Sequence, residues 1–541
     1  MAWIDYLILA AYLLATLGIG FWSTRRAQRS ARDYFVAAKA LPWWVVGGTM
    51  VGASISAEQM LGEVGYGLDL GLVVSNWDLA VYPALALMVL VCLPIYLRSG
   101  VTTIPEYLEK RYNATTRLLF SGFTVFNNAC VTLVMVLALG ATALKYFLGL
   151  NPWLAVGFLA MFTGLYTVVG GMSAVAWTDT FQCALLLAGG LTVFGAALAQ
   201  VPGGWTGLLS RMPEPHLVRG LEDACLPWPG LLLLALSTNV WYCCTNQFYV
   251  QSCLGARNRW HGQMGVILTG LLGPVLTLAC AFPGYIAHDL LKQGLLPALP
   301  AGQGGGHDAN ATLPHLVRHL LGPGVRGFVV AGVLAAIMST VSAVVNATAS
   351  VFAVDLYRRW LRPEADDARL VRVGRWAGVV TLAVAAPLSL IALQYRYIFV
   401  YSQNAWCILA IPIMLAFALG MLWARATAQA AVAAFLFVTP FLAVPFILGD
   451  EPWLRLPVLG VKVHLFTFAF GLWLATGLLM AVVSRLTRAP DPATVAPYVW
   501  RPRALCGQSG EDEPDRPWYQ RVGFWCALLG AVYIMIYVTF W

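Results

Sequence analysis

Fourteen apolar segments, each close to the length needed to cross a bilayer, follow one another along this 541-residue chain. A transmembrane helix needs about 20 mostly apolar residues. The segments are 3–22, 43–66, 77–97, 118–148, 152–171, 181–200, 230–254, 264–290, 327–352, 376–393, 398–423, 426–448, 464–484 and 522–541. They are too long for the strands of a membrane barrel, which need only about 10 alternating residues. The sequence therefore predicts an all-α polytopic membrane protein with about 14 spans.

The composition excludes most other classes of protein. Hydrophobic residues make up 60% of the chain and charged residues only 11%, whereas a soluble domain carries about 25% charged residues. Such a chain could not cover a water-facing surface, so a soluble multidomain enzyme and a disordered protein are both excluded.

The basic residues predict the orientation of the chain in the membrane. Of the 33 lysines and arginines, 24 follow odd-numbered spans and nine lie on the opposite side. Basic residues concentrate on the cytoplasmic side of membrane proteins, so both termini are expected to be extracytoplasmic in a cell membrane. The net charge of +8 is thus accounted for by orientation. It does not indicate a nucleic-acid partner.

Three connections between the spans are long enough to mention. Residues 201–229 and 291–326 are predicted to be external, and 485–521 cytosolic; none is long enough to form an enzyme domain. Asn310 begins an Asn-Ala-Thr sequence, which is a glycosylation acceptor by pattern if the protein passes through a secretory pathway.

Polar residues inside the spans carry the functional information, because a polar group in hydrocarbon is costly and usually faces a cavity. The second span contains Gly47, Gly48, Gly52 and then Glu58-Gln59. Glycines can simply allow close helix packing. Together with the following carboxylate and amide, they favour a broken helix whose freed carbonyls bind a ligand.

Three further spans contain polar groups of the same kind. The third opens with Trp77-Asp78, which could also be an interfacial pair. In the seventh, Asn239 and Tyr242 are three residues apart and share a helical face. The eleventh carries Gln403-Asn404, two amides that need partners in a membrane.

The ninth span places Ala336, Ser339 and Thr340 on one helical face. Two hydroxyls and a backbone carbonyl offer oxygen to a hard cation without adding charge. Hydroxyls that bond back to their own helix are a common alternative. Opposite a broken glycine-rich span, the motif favours a cation site.

At these residues the sequence resembles the sodium:solute symporter family, and most of all its sodium/glucose cotransporters. The resemblance runs from Tyr34 to about Trp423 and rests on residues 55–59, 170–179, 246–251 and 339–347. It implies a LeuT-like core of two inverted five-helix repeats, 43–200 and 230–425, with discontinuous second and seventh spans. The flanking regions 1–42 and 426–541 would add extra helices.

The resemblance also implies site residues. The sodium ion would be bound by the carbonyls of Gly52, Ile55 and Ala336 and the hydroxyls of Ser339 and Thr340. The sugar contacts would be Gln59, Asp78, Asn239 and Gln403, with Tyr242 as an aromatic lid. Asp179 and Ser342 lie where some relatives hold a second ion, but Ala343 replaces a hydroxyl there, which favours one sodium per cycle. Gly273 stands where the family has a sugar-contacting lysine.

The predicted function is sodium-coupled import of a neutral polyhydroxylated solute, hexose-like or inositol-like, by a transporter that is not an enzyme. One alternative is an organic cation such as choline, with Asp78 as counter-ion and Trp77 and Tyr242 as a cation–π cage. A transporter-derived sensor is less favoured, because it would need an appended domain. An intramembrane enzyme is disfavoured because the histidines form no nucleophile or metal constellation in a span.

Overall fold

The computed structural model describes most of the chain. The described residues are 1–24, 30–212, 215–302, 306–394, 398–448, 451–456, 461–500 and 516–541. Six of the basic residues used to predict orientation, and parts of the three long connections, lie outside this range. Those basic residues are Arg25, Arg26, Arg29, Arg396, Arg501 and Arg503.

Helices dominate the architecture. They are α1 Trp3–Thr24, α2 Ala31–Val36, α3 Trp43–Ser54, α4 Val64–Leu70, α5 Asn76–Leu79, α6 Tyr82–Leu87, α7 Leu93–Ser99, α8 Ile104–Arg111, α9 Ala114–Asn127, α10 Leu133–Leu148, α11 Pro152–Leu198, α12 Gly204–Arg211, α13 Trp228–Leu233, α14 Gln247–Leu254, α15 Arg259–Lys292, α16 Thr312–Leu320, α17 Val325–Val351, α18 Asp367–Ala392, α19 Ile398–Leu422, α20 Ala428–Val438, α21 Val444–Leu448, α22 Leu465–Leu486, α23 Pro492–Val495 and α24 Val522–Thr539. Several are joined by π-helical turns: Glu58–Glu63, Met88–Cys92, Asn128–Thr132, Leu234–Thr238, Trp241–Thr245 and Phe352–Leu361.

Ten helical stretches in the described part of the chain are long and apolar enough to cross a membrane. This confirms a multi-pass membrane protein, while the count of fourteen spans stays a prediction. The difference comes from the remaining segments. Residues 43–66 and 230–254 are broken into short helices, and 426–448 begins with the short α20. Residues 152–171 and 181–198 both lie within α11.

The helix α11 is really two helices that meet at Gly171. Its 47 residues would extend about 70 Å, more than twice the thickness of a bilayer core. Gly171 has φ 62° and ψ −160°, a conformation that side chains disfavour. A Cβ there would lie 2.6 Å from the Tyr34 carbonyl oxygen. The chain therefore bends at a glycine that also allows close approach of the segment before α3.

The helices differ in how much of their surface is covered by protein. Most of α17 and α19 is buried, whereas α1, α22 and α24 expose much of their apolar surface. The helix α17 packs along α11 and also contacts α3. The ninth span is therefore central, and the helices outside the predicted repeats lie at the periphery.

Two features differ from the sequence analysis. A short antiparallel hairpin, β1 Trp453–Leu456 and β2 Val461–His464, precedes α22, and no strand was predicted there. Asn310 is buried at 7% exposure, and its amide donates to Asp308. In this fold it presents no accessible amide for glycosylation.

Candidate functional site

The second span breaks at Ile55, as the sequence predicted. The helix α3 ends at Ser54, Ile55 is extended (φ −93°, ψ 113°), and helix resumes in the turn that begins at Glu58. Its glycines also serve packing, because a Cβ at Gly52 would lie 2.8 Å from the carbonyl oxygen of Asp179 on α11. Gly52 thus lets α3 pack directly against α11 just before the break.

Ser56 and Gln59 stabilise the restart of the helix after the break. The Glu58 backbone N–H donates to Ser56 Oγ, and the Ser56 N–H donates to Gln59 Oε1, both over 2.9 Å. This is a variant of the capping box in which the serine hydroxyl accepts from the second helical N–H instead of the third. Both bonds satisfy otherwise orphaned N–H groups at a helix start. The Ser-Ala-Glu-Gln spacing was a readable signal for it, and the sequence analysis missed this structural role of Gln59.

The seventh span is broken as well. Asn246 is extended (φ −76°, ψ 123°) between the π-helical turn Trp241–Thr245 and α14. Tyr96 Oη donates to the Cys244 carbonyl oxygen over 2.7 Å, which satisfies one of the freed acceptors. The amides of Gln247 and Gln251 bond to the backbone of Ile104 and Phe35. Both glutamines, singled out by the family motif, therefore join segments of the fold.

The break in the second span meets the hydroxyls of the ninth. Ser339 Oγ lies 2.6 Å from the Gly52 carbonyl oxygen and 3.0 Å from that of Ala336. Thr340 Oγ1 lies 3.2 Å from the carbonyl oxygens of both Ala53 and Ala336. One hydroxyl can donate to only one carbonyl at a time. The cluster is therefore rich in uncharged oxygen, which suits a hard monovalent cation.

The fifth residue of the predicted ion site lies beside this cluster. Ile55 lines the adjoining cavity. Among the described residues, its carbonyl receives no hydrogen bond from Ser339 or Thr340. Gly52, Ala336, Ser339 and Thr340 are thus brought together directly, and Ile55 connects them to the cavity.

Asp179 and Ser342 adjoin the same cluster. Ser342 Oγ donates to Asp179 Oδ1 over 3.0 Å and lies 2.8 Å from the Ser339 carbonyl oxygen. Both side chains are buried, and Asp179 Oδ2 has no hydrogen-bond partner in the described part of the chain. The Ser342 hydroxyl therefore links the Asp179 carboxylate to the backbone of Ser339, next to the Gly52–Ser339 contact.

All five residues predicted to contact substrate line one cavity of about 90 Å³. They come from four spans and are Gln59, Asp78, Asn239, Tyr242 and Gln403. Asp78 Oδ2 and Asn239 Nδ2 lack hydrogen-bond partners among the described residues. A buried acceptor and a buried donor are therefore available to a bound hydroxylated molecule.

A polar chain crosses one wall of this cavity. Trp77 Nε1 donates to Gln403 Oε1 over 2.5 Å, and Gln403 Nε2 donates to Glu58 Oε1. The sequence uses Glu58 only as a sign of the broken span and does not assign it a contact. In the structure its carboxylate orients the Gln403 amide, so it belongs to the site.

Aromatic rings cover two other sides of the cavity. Tyr242 packs on Tyr249 and Trp406, with ring centroids 5.4 and 5.8 Å away. Trp77 packs on Phe399 with centroids 5.5 Å apart. Trp406 lies three residues after Gln403, on the same helical face, and that spacing could have revealed it as a lining residue.

Gly273 also lines the cavity, next to the last span. A Cβ there would lie 2.1 Å from Tyr533 Oη, and this hydroxyl donates to the Gly270 carbonyl oxygen over 3.0 Å. The space beside Gly273 is therefore closed by a tyrosine from α24.

Two broken spans that face each other across a buried polar cavity are characteristic of secondary transporters with inverted repeats. The fold and the cavity place this chain in that class of membrane transporter. The family model for the sodium:solute symporter family matches residues 34–437, so the chain belongs to the sodium:solute symporter family. It is a transporter and not an enzyme.

Individual relatives agree over most of the chain. The sodium/glucose cotransporter of Vibrio parahaemolyticus is 31% identical over 82% of this chain and 84% of its own length. A sodium/mannose cotransporter of Bos taurus is 30% identical over 98% and 95%. The human sodium/myo-inositol cotransporter 2 is 30% identical over 92% and 78%. The similarity to sugar cotransporters is thus confirmed.

A solved structure supports the fold. A Na⁺-coupled sialic acid symporter in its substrate-bound, outward-open state superposes with a TM-score of 0.77. The match covers 91% of this chain and 99% of that protein at 20% identity. This superposition confirms the LeuT-like fold class.

Proposed function

We propose that the protein is a sodium-coupled symporter that imports a neutral polyhydroxylated solute, hexose-like or inositol-like. The proposal depends most on one observation: Gln59, Asp78, Asn239, Tyr242 and Gln403 line a single buried cavity. The names of the relatives, which include glucose, mannose and myo-inositol cotransporters, support the same substrate class.

The chemistry of the cavity favours a neutral solute. Amides supply both donors and acceptors, and the Asp78 carboxylate can accept from two hydroxyls. Tyr242 offers a face on which the C–H groups of a sugar ring can pack. Among the cavity-lining residues of the described chain, none is Lys or Arg. An anionic substrate would want such a cation, so anions are disfavoured.

Sodium is proposed to bind the carbonyls of Gly52, Ile55 and Ala336 and the hydroxyls of Ser339 and Thr340. Bound there, it would hold the broken second span against the ninth and so fix the wall formed by Ile55 and Gln59. Sodium and solute then stabilise one conformation together, and each raises the other's affinity by the same factor. We propose one sodium per cycle, with Asp179 and Ser342 as the place where any second ion would bind.

The direction of transport follows from the gradient. A negative-inside potential contributes about 2.3 kcal/mol per charge per 100 mV to inward movement of sodium. We place the protein in the cell membrane with both termini extracytoplasmic, on the distribution of basic residues. Release of sodium to the cytosol would loosen the site and let the solute leave after rocking of the repeats.

Uptake into proteoliposomes tests the proposal. Labelled glucose, galactose, mannose, myo-inositol and choline are offered with an inward sodium gradient, and with potassium in its place. Accumulation of one or more of the sugars or the polyol that requires the sodium gradient supports the proposal. Accumulation of choline alone would establish the organic-cation alternative instead. Uptake that is the same with and without the sodium gradient would overturn the proposed coupling.

A further inference from the structure

A groove of about 810 Å³ runs beside α18. It lies between α9, the turn that follows α17, and α18, and it shares no lining residue with the cavity that contains Gln403. Nothing in the transport cycle proposed above uses it.

One face of α18 forms the length of this groove. Arg369, Arg372, Val373, Trp376, Ala377 and Val380 all line it, and their spacing of three and four residues puts them on one helical stripe. From Arg369 to Val380 the stripe extends about 16 Å. The apolar part, from Val373 onward, is about 10 Å of this length and fits within the hydrocarbon thickness of one leaflet, half of about 30 Å.

The stripe changes character from one end to the other. Two arginines lie at the start of α18, followed by apolar side chains only. Trp376 and Val380 are 65% and 57% exposed, so the groove opens sideways to the bilayer. Trp376 lies where the charged part gives way to the apolar part, the position that tryptophan prefers at a membrane interface.

The charges at the mouth of the groove favour an anion. Arg372 is exposed, and neither it nor Arg369 forms an ion pair among the described residues. The Arg369 guanidinium lies 5.9 Å from the Tyr357 ring centroid. Asp366 is the acidic residue in the lining, and its Oδ1 accepts the Arg369 backbone N–H over 3.0 Å as a helix cap. The lining therefore carries two guanidinium charges against one carboxylate, which is a net charge of +1.

We propose that this groove binds one anionic phospholipid, with its phosphate on Arg369 and Arg372 and an acyl chain along Trp376, Ala377 and Val380. A headgroup at a basic pocket and a chain along an apolar groove match the two halves of the stripe. The proposal does not depend on the identity of the transported solute.

Native mass spectrometry of the purified full-length protein tests this. The protein is titrated with phosphatidylglycerol or phosphatidylcholine, and the affinity of the most tightly bound lipid is measured. Phosphatidylglycerol is expected to bind more tightly. Since a basic residue near a charged membrane surface contributes about 1 kcal/mol, Arg369→Gln with Arg372→Gln should weaken this binding about 25-fold. Arg358→Gln with Arg362→Gln removes two exposed arginines outside the groove and should change it less than threefold.

A second variant probes the apolar half without changing charge. Ala377→Phe fills the groove and should also displace the lipid, while the melting temperature reports whether the protein is still folded. The proposal would be overturned if the Arg369/Arg372 and Arg358/Arg362 double variants lost the same amount of lipid affinity. It would also be overturned if phosphatidylglycerol and phosphatidylcholine bound equally well. Displacement of the lipid by millimolar inorganic phosphate would assign the arginines to a free-anion site instead.

Discussion

Trp77 and Gln403, which are 326 residues apart in the chain, share a 2.5 Å hydrogen bond across the wall of the substrate cavity. The same amide donates to Glu58. Its carbonyl and its nitrogen are thus both fixed by neighbours, and its orientation toward a substrate is set before one binds. Such preorganisation lowers the entropy cost of binding.

Replacing Gln403 by Leu should mainly weaken solute binding. Leucine removes a hydrogen bond to the solute, which is worth about 1 kcal/mol. It also leaves the Trp77 N–H and the Glu58 carboxylate without this partner. KM for the transported solute should therefore rise at least about 5-fold, with sodium dependence nearly unchanged. Radiolabelled uptake measures both. Gln263→Leu on α15 removes a buried amide that donates to the Val89 carbonyl oxygen and lies outside the cavity lining. It is the matched control and should change KM less than about twofold. An unchanged KM in Gln403→Leu would remove this residue from the site.

Ser339→Ala should weaken sodium dependence. An oxygen ligand to a charged group is worth about 1.5–3 kcal/mol, so the apparent sodium affinity should fall at least about tenfold, with expression preserved. Ser389→Ala on α18 deletes a similar hydroxyl that bonds back to its own helix and serves as the control. Equal sodium activation curves in the two variants would rule out Ser339 as a ligand.

Asp78→Asn distinguishes a sugar from an organic cation. Asparagine keeps one acceptor and removes the charge, so sugar transport should lose at most about tenfold in affinity. An amine substrate would lose its counter-ion. If uptake of an amine disappears while sugar binding hardly changes, the organic-cation interpretation is correct.

Gly273→Ala should destabilise the packing of the last span. The new methyl group would overlap the Tyr533 hydroxyl, and overpacking of this kind costs about 1–3 kcal/mol. Tyr533→Phe removes that hydroxyl and should restore much of the loss in the double variant, as read from the melting temperature in detergent. Gly157→Ala, where a Cβ meets nothing within 4 Å, controls for the substitution itself. Additive losses in the double variant would contradict the proposed contact.

Glu109 should make a pH-dependent contribution to stability. Partial burial acts to raise the pKa of Glu109, but hydrogen bonds from Arg359 and Arg117 outweigh it and leave the pKa below its ordinary value of 4.5. The contribution is therefore present above pH 4.5 and lost as the pH falls through the lowered value. Glu109→Gln should lower the melting temperature at pH 7 and have much less effect near pH 3. A difference that stays constant with pH would contradict this.

The sequence predicted the broken second span because helix packing alone does not account for glycines, hydroxyls and a carboxylate within one apolar segment. It could not decide which of two neighbouring side chains faces the cavity. Glu58 and Gln59 both do so, because the π-helical turn after Ile55 shifts the helical faces away from the regular 3.6 period. Contacts between spans that are distant in the chain could not be predicted from the sequence either. Tyr533 closes the space beside Gly273 only through packing of the last helix.

The hydrogen bond between the Ser339 hydroxyl and the Gly52 carbonyl oxygen has a consequence for motion within the protein. It spans 2.6 Å and joins α17 to α3 across 287 residues of chain. Because hydrogen bonds weaken steeply outside a narrow range of distance, the two helices cannot shift against each other by more than about 1 Å without losing it. Any conformational change that separates the second and ninth spans must therefore break this contact.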